Sequence, residues 1–347
     1  MSLLTNSSPH AHKALDTAGV MRWVLLATLP GIAALTAAFG WGTLVNIVVV
    51  SIFSLLLESL VLLWRKRPVG FYLRDYSALV TAVLLGIALP PYAPWWLLLV
   101  GAFFAIVLAK QLYGGLGYNP FNPAMVAYVA LLISFPVPMT TWAAPLTLLP
   151  EGASAPSLLD TLALCFGLTE HITIDGLTMA TPLDLLRQNN SLMIAELRES
   201  NVIFGRWGGL GWEWVNLAFL AGGVLLLTKR IYTWHAPVAM LSALLVMSAI
   251  FYDGGSADSI GSPLMQLFSG ATMLGAWFII TDPVSSAVSN RGRLIYGAGA
   301  GILLYTIRKW GNYPDAVAFA VLLMNFAAPF IDHYTQPRVY GNSGRGQ

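Results

Sequence analysis

Stretches of about twenty apolar residues recur along the whole of this sequence, and each is long enough to cross a bilayer of about 30 Å as a helix. Ten can be drawn, near 21–40, 42–64, 76–91, 94–113, 120–136, 212–228, 235–252, 264–282, 293–307 and 313–331. The third and fifth are short, as half-helices or tilted segments would be. Composition agrees: 57% of the residues are hydrophobic and 10% are charged, where a soluble domain carries about 25% charge. The expectation is an all-α integral membrane protein of about ten transmembrane helices. The first apolar run starts only near Met21 and is followed at once by another, unlike a cleavable signal.

Orientation follows from Lys and Arg. With the N-terminus in the cytoplasm, Arg65, Lys66, Arg67, Arg74, Lys110, Lys229, Arg230, Arg291 and Arg293 all fall inside. Arg308 and Lys309 are the exception. The expected organisation is a cytoplasmic tail (1–20), a first half-bundle of about five spans (21–136), a periplasmic loop (137–211), a second half-bundle of about five spans (212–332) and a cytoplasmic tail (333–347). The loop is the only long one, and loops beyond about 12–15 residues are usually functional or disordered. Its apolar residues Leu158, Leu159, Leu162, Ile172 and Ile174 are expected to pack it onto the membrane part.

Several chemistries are excluded. A single cysteine, Cys165, makes no internal disulfide, and an iron–sulfur cluster needs about four thiolates. The five histidines have no pair at the spacing of a helical metal or haem site. No basic block suggests nucleic acid. "GAGAG" (Gly297 to Gly301) follows no strand and has the wrong spacing for a dinucleotide fingerprint; it reads as close helix packing. The tryptophans near predicted membrane edges read mainly as interfacial anchors.

Two Ala-Thr pairs pose the sharper question. "SGAT" (Ser269 to Thr272) lies within an apolar run, where a threonine commonly bonds back to its own helix and small residues let helices approach. "DGLTMATPL" (Asp175 to Leu183) lies in the polar loop. Pro182 biases Thr181 toward extended backbone. Two readings are open there. Thr181 is the N-cap of a helix Leu183–Gln188 opened by Pro182, or its hydroxyl is presented for chemistry.

Asp175, Thr178, Ala180 and Thr181 together resemble Asp-x-x-(Ser/Thr)-x-Ala-Thr, the acceptor motif for covalent flavinylation. "GYNPFNPAMVAY", "TMLGAWFIITDPVSSA" and "IRKWGNYPDAVAFAVLLMNFAAPFID" extend the likeness over essentially the whole chain. The sequence is similar to a family of membrane proteins that includes the D subunit of the Rnf ion-translocating oxidoreductase and the B subunit of the sodium-pumping NADH:quinone reductase. That resemblance implies FMN joined through its phosphate to Thr181, with Asp175, Thr178 and Ala180 as motif residues. Met179 departs from it, standing where glycine is frequent. Around Thr272 the match fails at the aspartate, since Gln266 stands six residues before it. The resemblance also implies a bacterial inner membrane and an electron-transport complex that moves Na⁺ or H⁺. Its partners would be other Rnf subunits, including a second flavinylated subunit and iron–sulfur subunits, with a flavin transferase during maturation.

A second, non-covalent flavin such as riboflavin is implied in the same way. "NPFNPA" and "TDPVSSA" carry helix-breaking residues at span ends, and freed backbone at membrane depth is tolerated only when buried or lining a cavity. Asn119, Asn122, Thr272 and Asp282 are the candidates for that second site. Glu58, deep in the second span, is the candidate for ion or proton handling, being protonated, paired or facing a cavity. Lys110 could snorkel from its span end. The competing class is a redox-free multi-pass transporter or channel.

Overall fold

A computed structural model describes residues 16–149, 155–169, 174–189, 191–313 and 315–336. Regular structure among them is helical, apart from two isolated β-bridges. Ile172 and the two tails beyond these limits lie outside the described residues.

The first two helices are α1 (Thr17–Phe39) and α2 (Gly42–Trp64), each 23 residues. Asp16 caps α1 by accepting from the Gly19 N–H at 2.8 Å. Next come α3 (Ser77–Ala88), α4 (Trp95–Ala102) and α5 (Pro123–Ser134). α4 continues without a break as a π-wound segment, Phe103–Gln111. α3 and α5 are 12 residues each, about 18 Å of helix, so neither spans a bilayer alone.

A folded connection follows, with α6 (Leu158–Phe166), α7 (Pro182–Gln188) and α8 (Ile194–Ser200). Then come α9 (Trp212–Thr228), α10 (His235–Ile250) and a broken element. This starts as α11 (Pro263–Phe268), stops, and resumes as the turn α12 (Thr272–Leu274) running into a second π-wound segment, Gly275–Ile279. The chain closes with α13 (Asn290–Trp310) and α14 (Val317–Thr335). By length and composition α1, α2 and α14 are each able to cross a membrane, and five shorter helical stretches are apolar as well.

The break in the 264–282 run corrects the expectation of one continuous span. Gly270 has φ +59°, and a Cβ there would press on the Asp315 carboxylate and Leu183. A left-handed residue ends the helix, and only glycine fits so close to its neighbours.

Helices meet through glycine. A Cβ at Gly222 of α9 would strike the backbone of Ala27 in α1. Gly297 and Gly301 lie against the backbone of α10 at Ala236 and Met240, so "GAGAG" is close helix packing.

The connection is held by a small core of Leu183, Leu186, Ile194, Leu197 and Met265. Of the apolar residues expected to anchor it, Leu162 packs against the main core. Leu158, Leu159 and Ile174 are exposed, and α6 also buries Thr161, Leu164 and Cys165. Ser157 caps α6, and residues 164 and 165, three and four on from 161, share its buried face.

Candidate functional site

Thr181 ends an extended stretch at φ −73°, ψ 160° and is the N-cap of α7. Its Oγ1 donates to Asp184 Oδ2 at 2.6 Å and accepts from the Asp184 N–H at 3.2 Å, while the Thr181 N–H donates to Asp184 Oδ2 at 2.9 Å. This is a capping box built with aspartate, so the capping reading of Thr181 is correct as geometry. The helix begins at Pro182 rather than Leu183.

Upstream, the motif is tied to the segment after α5. The Ala144 N–H donates to Leu177 O at 2.8 Å, and the Met179 N–H to Trp142 O at 3.0 Å. Asp175 and Ala180 are exposed, and Thr178 and Thr181 are half-buried. Thr178 bonds within its own turn, Oγ1 donating to Asp175 O at 3.4 Å.

Thr181 and Asp184 stand at the side of a cleft whose walls include Tyr128, Trp142, Trp212 and Tyr313. Trp142 and Trp212 meet edge to face with centroids 5.2 Å apart. Asp315 also lines the cleft. The free space is about 90 Å³, below the about 300 Å³ at which small-molecule pockets begin. As it stands, the cleft takes an aromatic edge rather than a whole tricyclic ring.

A second, larger cavity of about 640 Å³ brings together Asn119, Asn122 and Asp282. Two of these are also local caps. Asn122 Oδ1 accepts from the Ala124 and Met125 N–H groups at 3.1 and 3.3 Å. Asp282 accepts from Ser285 Oγ at 2.6 Å. Asn325 of α14, in the orientation that satisfies both ends of its amide, accepts from the Asn122 N–H at 2.8 Å. Among the described residues, three cavity-lining side chains keep a buried polar atom without a partner: Asn119 Oδ1, His235 Nδ1 and Trp277 Nε1.

Thr272 is not in that cavity. It is fully buried beside the break, where its hydroxyl bonds to the Gln266 and Ser269 carbonyls at 3.0 and 2.9 Å and accepts from Arg308 at 2.9 Å. Arg308 also reaches Asp315 at 3.2 Å. Its burial takes one of the two exceptional cations out of the loop charges, because a guanidinium inside the bundle is no loop charge; Lys309 is only half-buried.

Glu58 is buried and paired. Its Oε1 accepts from Lys110 Nζ and Gln111 Nε2, each at 2.7 Å. Lys110 does not snorkel: it is 2% exposed and donates to Ser77 Oγ at 2.7 Å as well. Glu58 Oε2 and Gln111 Oε1 have no partner among the described residues. Both Lys110 and Gln111 sit on the π-wound segment, a winding found often at functional sites.

Sequence reading missed Asp184, Asp315, His235 and Trp277. The Thr-x-x-Asp spacing is a cap signal that could have found Asp184. The others come together only in three dimensions.

A family model described as the NQR2, RnfD, RnfE family matches residues 4–341. This chain belongs to that family. It is 59% identical over 345 residues to the D subunit of the ion-translocating oxidoreductase complex of Cellvibrio japonicus (strain Ueda107), covering 99% of this chain and 96% of the relative. The corresponding protein of Ectopseudomonas mendocina (strain ymp) is 60% identical over 342 residues, covering 99% and 97%. That of Pseudomonas aeruginosa (strain UCBPP-PA14) is 55% identical, again covering 99% and 97%. Membership accords with the all-helical, apolar architecture.

Proposed function

We propose that this chain is the D-type membrane component of an ion-translocating electron-transport complex, carrying FMN as a phosphoester on Thr181. The observation that carries the reading is the contrast between the two Ala-Thr threonines. Thr181 is half-buried on a surface connection beside an aromatic cleft, and Thr272 is sealed within the helices. A modifying enzyme reaches the first and not the second. The motif residues fit a recognition surface, since Asp175, Met179 and Ala180 are exposed together. When attached, FMN supplies one- and two-electron redox chemistry, and the protein positions and tunes it. Trp142 and Trp212 offer aromatic faces and edges beside the attachment point, and the Trp142 backbone pins the motif. The Leu183–Met265 core fixes α7, and with it Thr181.

In this reading the chain crosses a bacterial inner membrane about ten times, with the termini cytoplasmic and residues 137–211 periplasmic. α3 and α5 cross only in combination with neighbours. Other Rnf-type subunits, including a second flavinylated one and iron–sulfur subunits, exchange electrons with it. Na⁺ or H⁺ movement is coupled to that traffic, and the buried Glu58–Lys110 pair is a candidate element of the ion path.

A second flavin such as riboflavin in the polar cavity is favoured by one specific observation. Asn119, His235 and Trp277 line a space of about 640 Å³, and each keeps a buried polar atom without a partner among the described residues. Buried polar groups normally have partners, and a planar heterocycle with a hydrogen-bonding edge would satisfy them. Thr272 has no part in that site.

Acid precipitation of the purified chain, produced with a flavin transferase, separates the possibilities. A flavin retained in the pellet supports the phosphoester, and a second equivalent released to the supernatant supports the cavity site. Flavin in neither fraction moves the assignment to a redox-free transporter.

A further inference from the structure

We infer that Asp184 is the proton acceptor for the attachment of flavin to Thr181, so that the acceptor protein supplies part of the chemistry of its own modification. The inference rests on the Thr181 reading and adds a residue outside the motif.

A threonine hydroxyl has one proton to donate and two lone pairs. At Thr181 the proton points at Asp184 Oδ2, 2.6 Å away, and one lone pair takes the Asp184 N–H at 3.2 Å. One lone pair remains for an electrophile. A hydroxyl is a weak nucleophile until a base within hydrogen-bond reach takes its proton. Asp184 meets that distance condition before any partner arrives. The Thr181 N–H donates to the same carboxylate oxygen at 2.9 Å, so the base is held rigidly on its target. Local packing supports it too, because Leu183 and Leu186, on either side of Asp184, belong to the loop core.

The step balances without oxidant or reductant. The donor is a flavin nucleotide whose phosphate is held in a pyrophosphate bond, that is, FAD. Thr181 Oγ1 forms a bond to the flavin-side phosphorus, and the pyrophosphate P–O bond breaks. AMP leaves with the bridging oxygen. The hydroxyl proton passes to Asp184 and then to solvent.

The same box occurs at Ser157 and Asp160, with Ser157 Oγ donating to Asp160 at 2.7 Å. Such a box is therefore a helix cap first. What distinguishes Thr181 is that the cap coincides with the Asp-x-x-Thr-x-Ala-Thr stretch, which the Ser157 box does not share.

The test is the time course of flavin incorporation into the full-length chain in detergent, with a flavin transferase and FAD, read as fluorescence of the denatured band from acid to mildly alkaline pH. Wild type, Asp184→Asn, Asp184→Ala and Asp160→Asn are compared. Asparagine keeps an oxygen that can accept from the Thr181 N–H, so the cap survives while the base is removed. The expected result is slowing of roughly 10²-fold in both Asp184 variants, loss in them of the acid-side fall in rate that wild type shows, and a wild-type rate in Asp160→Asn. Slowing with an unchanged pH profile would mean a structural role and overturn the proposal, as would a wild-type rate in Asp184→Asn. A wild-type chain that stays dark, with the transferase proven on another substrate, removes the Thr181 reading and this inference with it.

Discussion

The oxygen that caps α7 at Thr181 is also the oxygen a phosphoester would occupy, and the two roles compete. Esterification removes the O–H that Asp184 now accepts and sets an anionic phosphate beside that carboxylate. Losing a cap costs about 0.5–2 kcal/mol, so the attached form should exchange the Asp184 and Leu185 amide hydrogens faster than the same chain made without flavin transferase. Equal exchange would show that phosphate oxygens replace the cap. Cys165 offers a simpler check. Burial pushes its thiol up to about 11, so little thiolate exists near neutral pH, and iodoacetamide should leave it unlabelled near neutral pH until the chain is denatured. Labelling of the folded chain would contradict the buried face of α6. At Glu58 the sequence marked a costly carboxylate, but it could not name Lys110 as the partner, 52 residues away and brought to 2.7 Å by the fold. Glu58→Ala strands that ammonium and should cost about 3–5 kcal/mol, whereas Glu58→Leu with Lys110→Met should cost much less. Thermal unfolding in detergent compares the two, and equal losses would argue against the pair.

Among the elements, hydropathy marked where helices lie better than how they are wound. The short third and fifth runs became the 12-residue helices α3 and α5, with Pro90 as a legible stop just after α3 and Asn122 as a legible start, the N-cap of α5. The break at Ser269–Gly270 was not legible, since it depends on Asp315 and Leu183 occupying the space a side chain would need. The π-wound segments Phe103–Gln111 and Gly275–Ile279 carry no apolar signature of their own. Both run toward stretches that line the polar cavity, Asn119 to Pro123 and Thr281 to Pro283. A buried cation closes two comparable helices, Lys110 at the end of the π-wound part of α4 and Arg308 in the last turn of α13. Each is bonded to an acidic side chain, Glu58 and Asp315. The glycine contacts make a direct prediction. Gly222→Val places atoms against the Ala27 backbone, which cannot yield as a side-chain tip would, so it should destabilise by about 1–3 kcal/mol or more. Gly70, with open space around its Cβ position, should tolerate alanine, and a comparable loss there in thermal unfolding would contradict this packing account.

Over the whole molecule, the chain separates an aromatic cleft beside Thr181 from a polar cavity lined by Asn119, Asn122 and Asp282. The Asp175–Thr181 stretch stood out in the sequence because it is contiguous. Of the polar cavity, the sequence marked Asn119, Asn122 and Asp282 but not His235 and Trp277, and of the cleft it did not mark Trp142, Trp212 and Tyr313 as neighbours, since these are far apart in sequence. Arg308 shows the limit of charge counting, as a cation buried in the bundle has no side. If residues 137–211 are periplasmic, a cysteine placed at exposed Glu199 in a Cys165→Ser background should react with a membrane-impermeant maleimide added to intact spheroplasts; protection there with labelling in inverted vesicles would reverse the orientation. The central claim is that a flavin hangs from Thr181. In-gel fluorescence of the denatured chain, made with its flavin transferase, tests it most directly in wild type, Thr181→Val and Thr272→Val. A fluorescent band that disappears only in Thr181→Val is the predicted result, and a band that survives in Thr181→Val, or that is missing from wild type beside a working transferase, would contradict it.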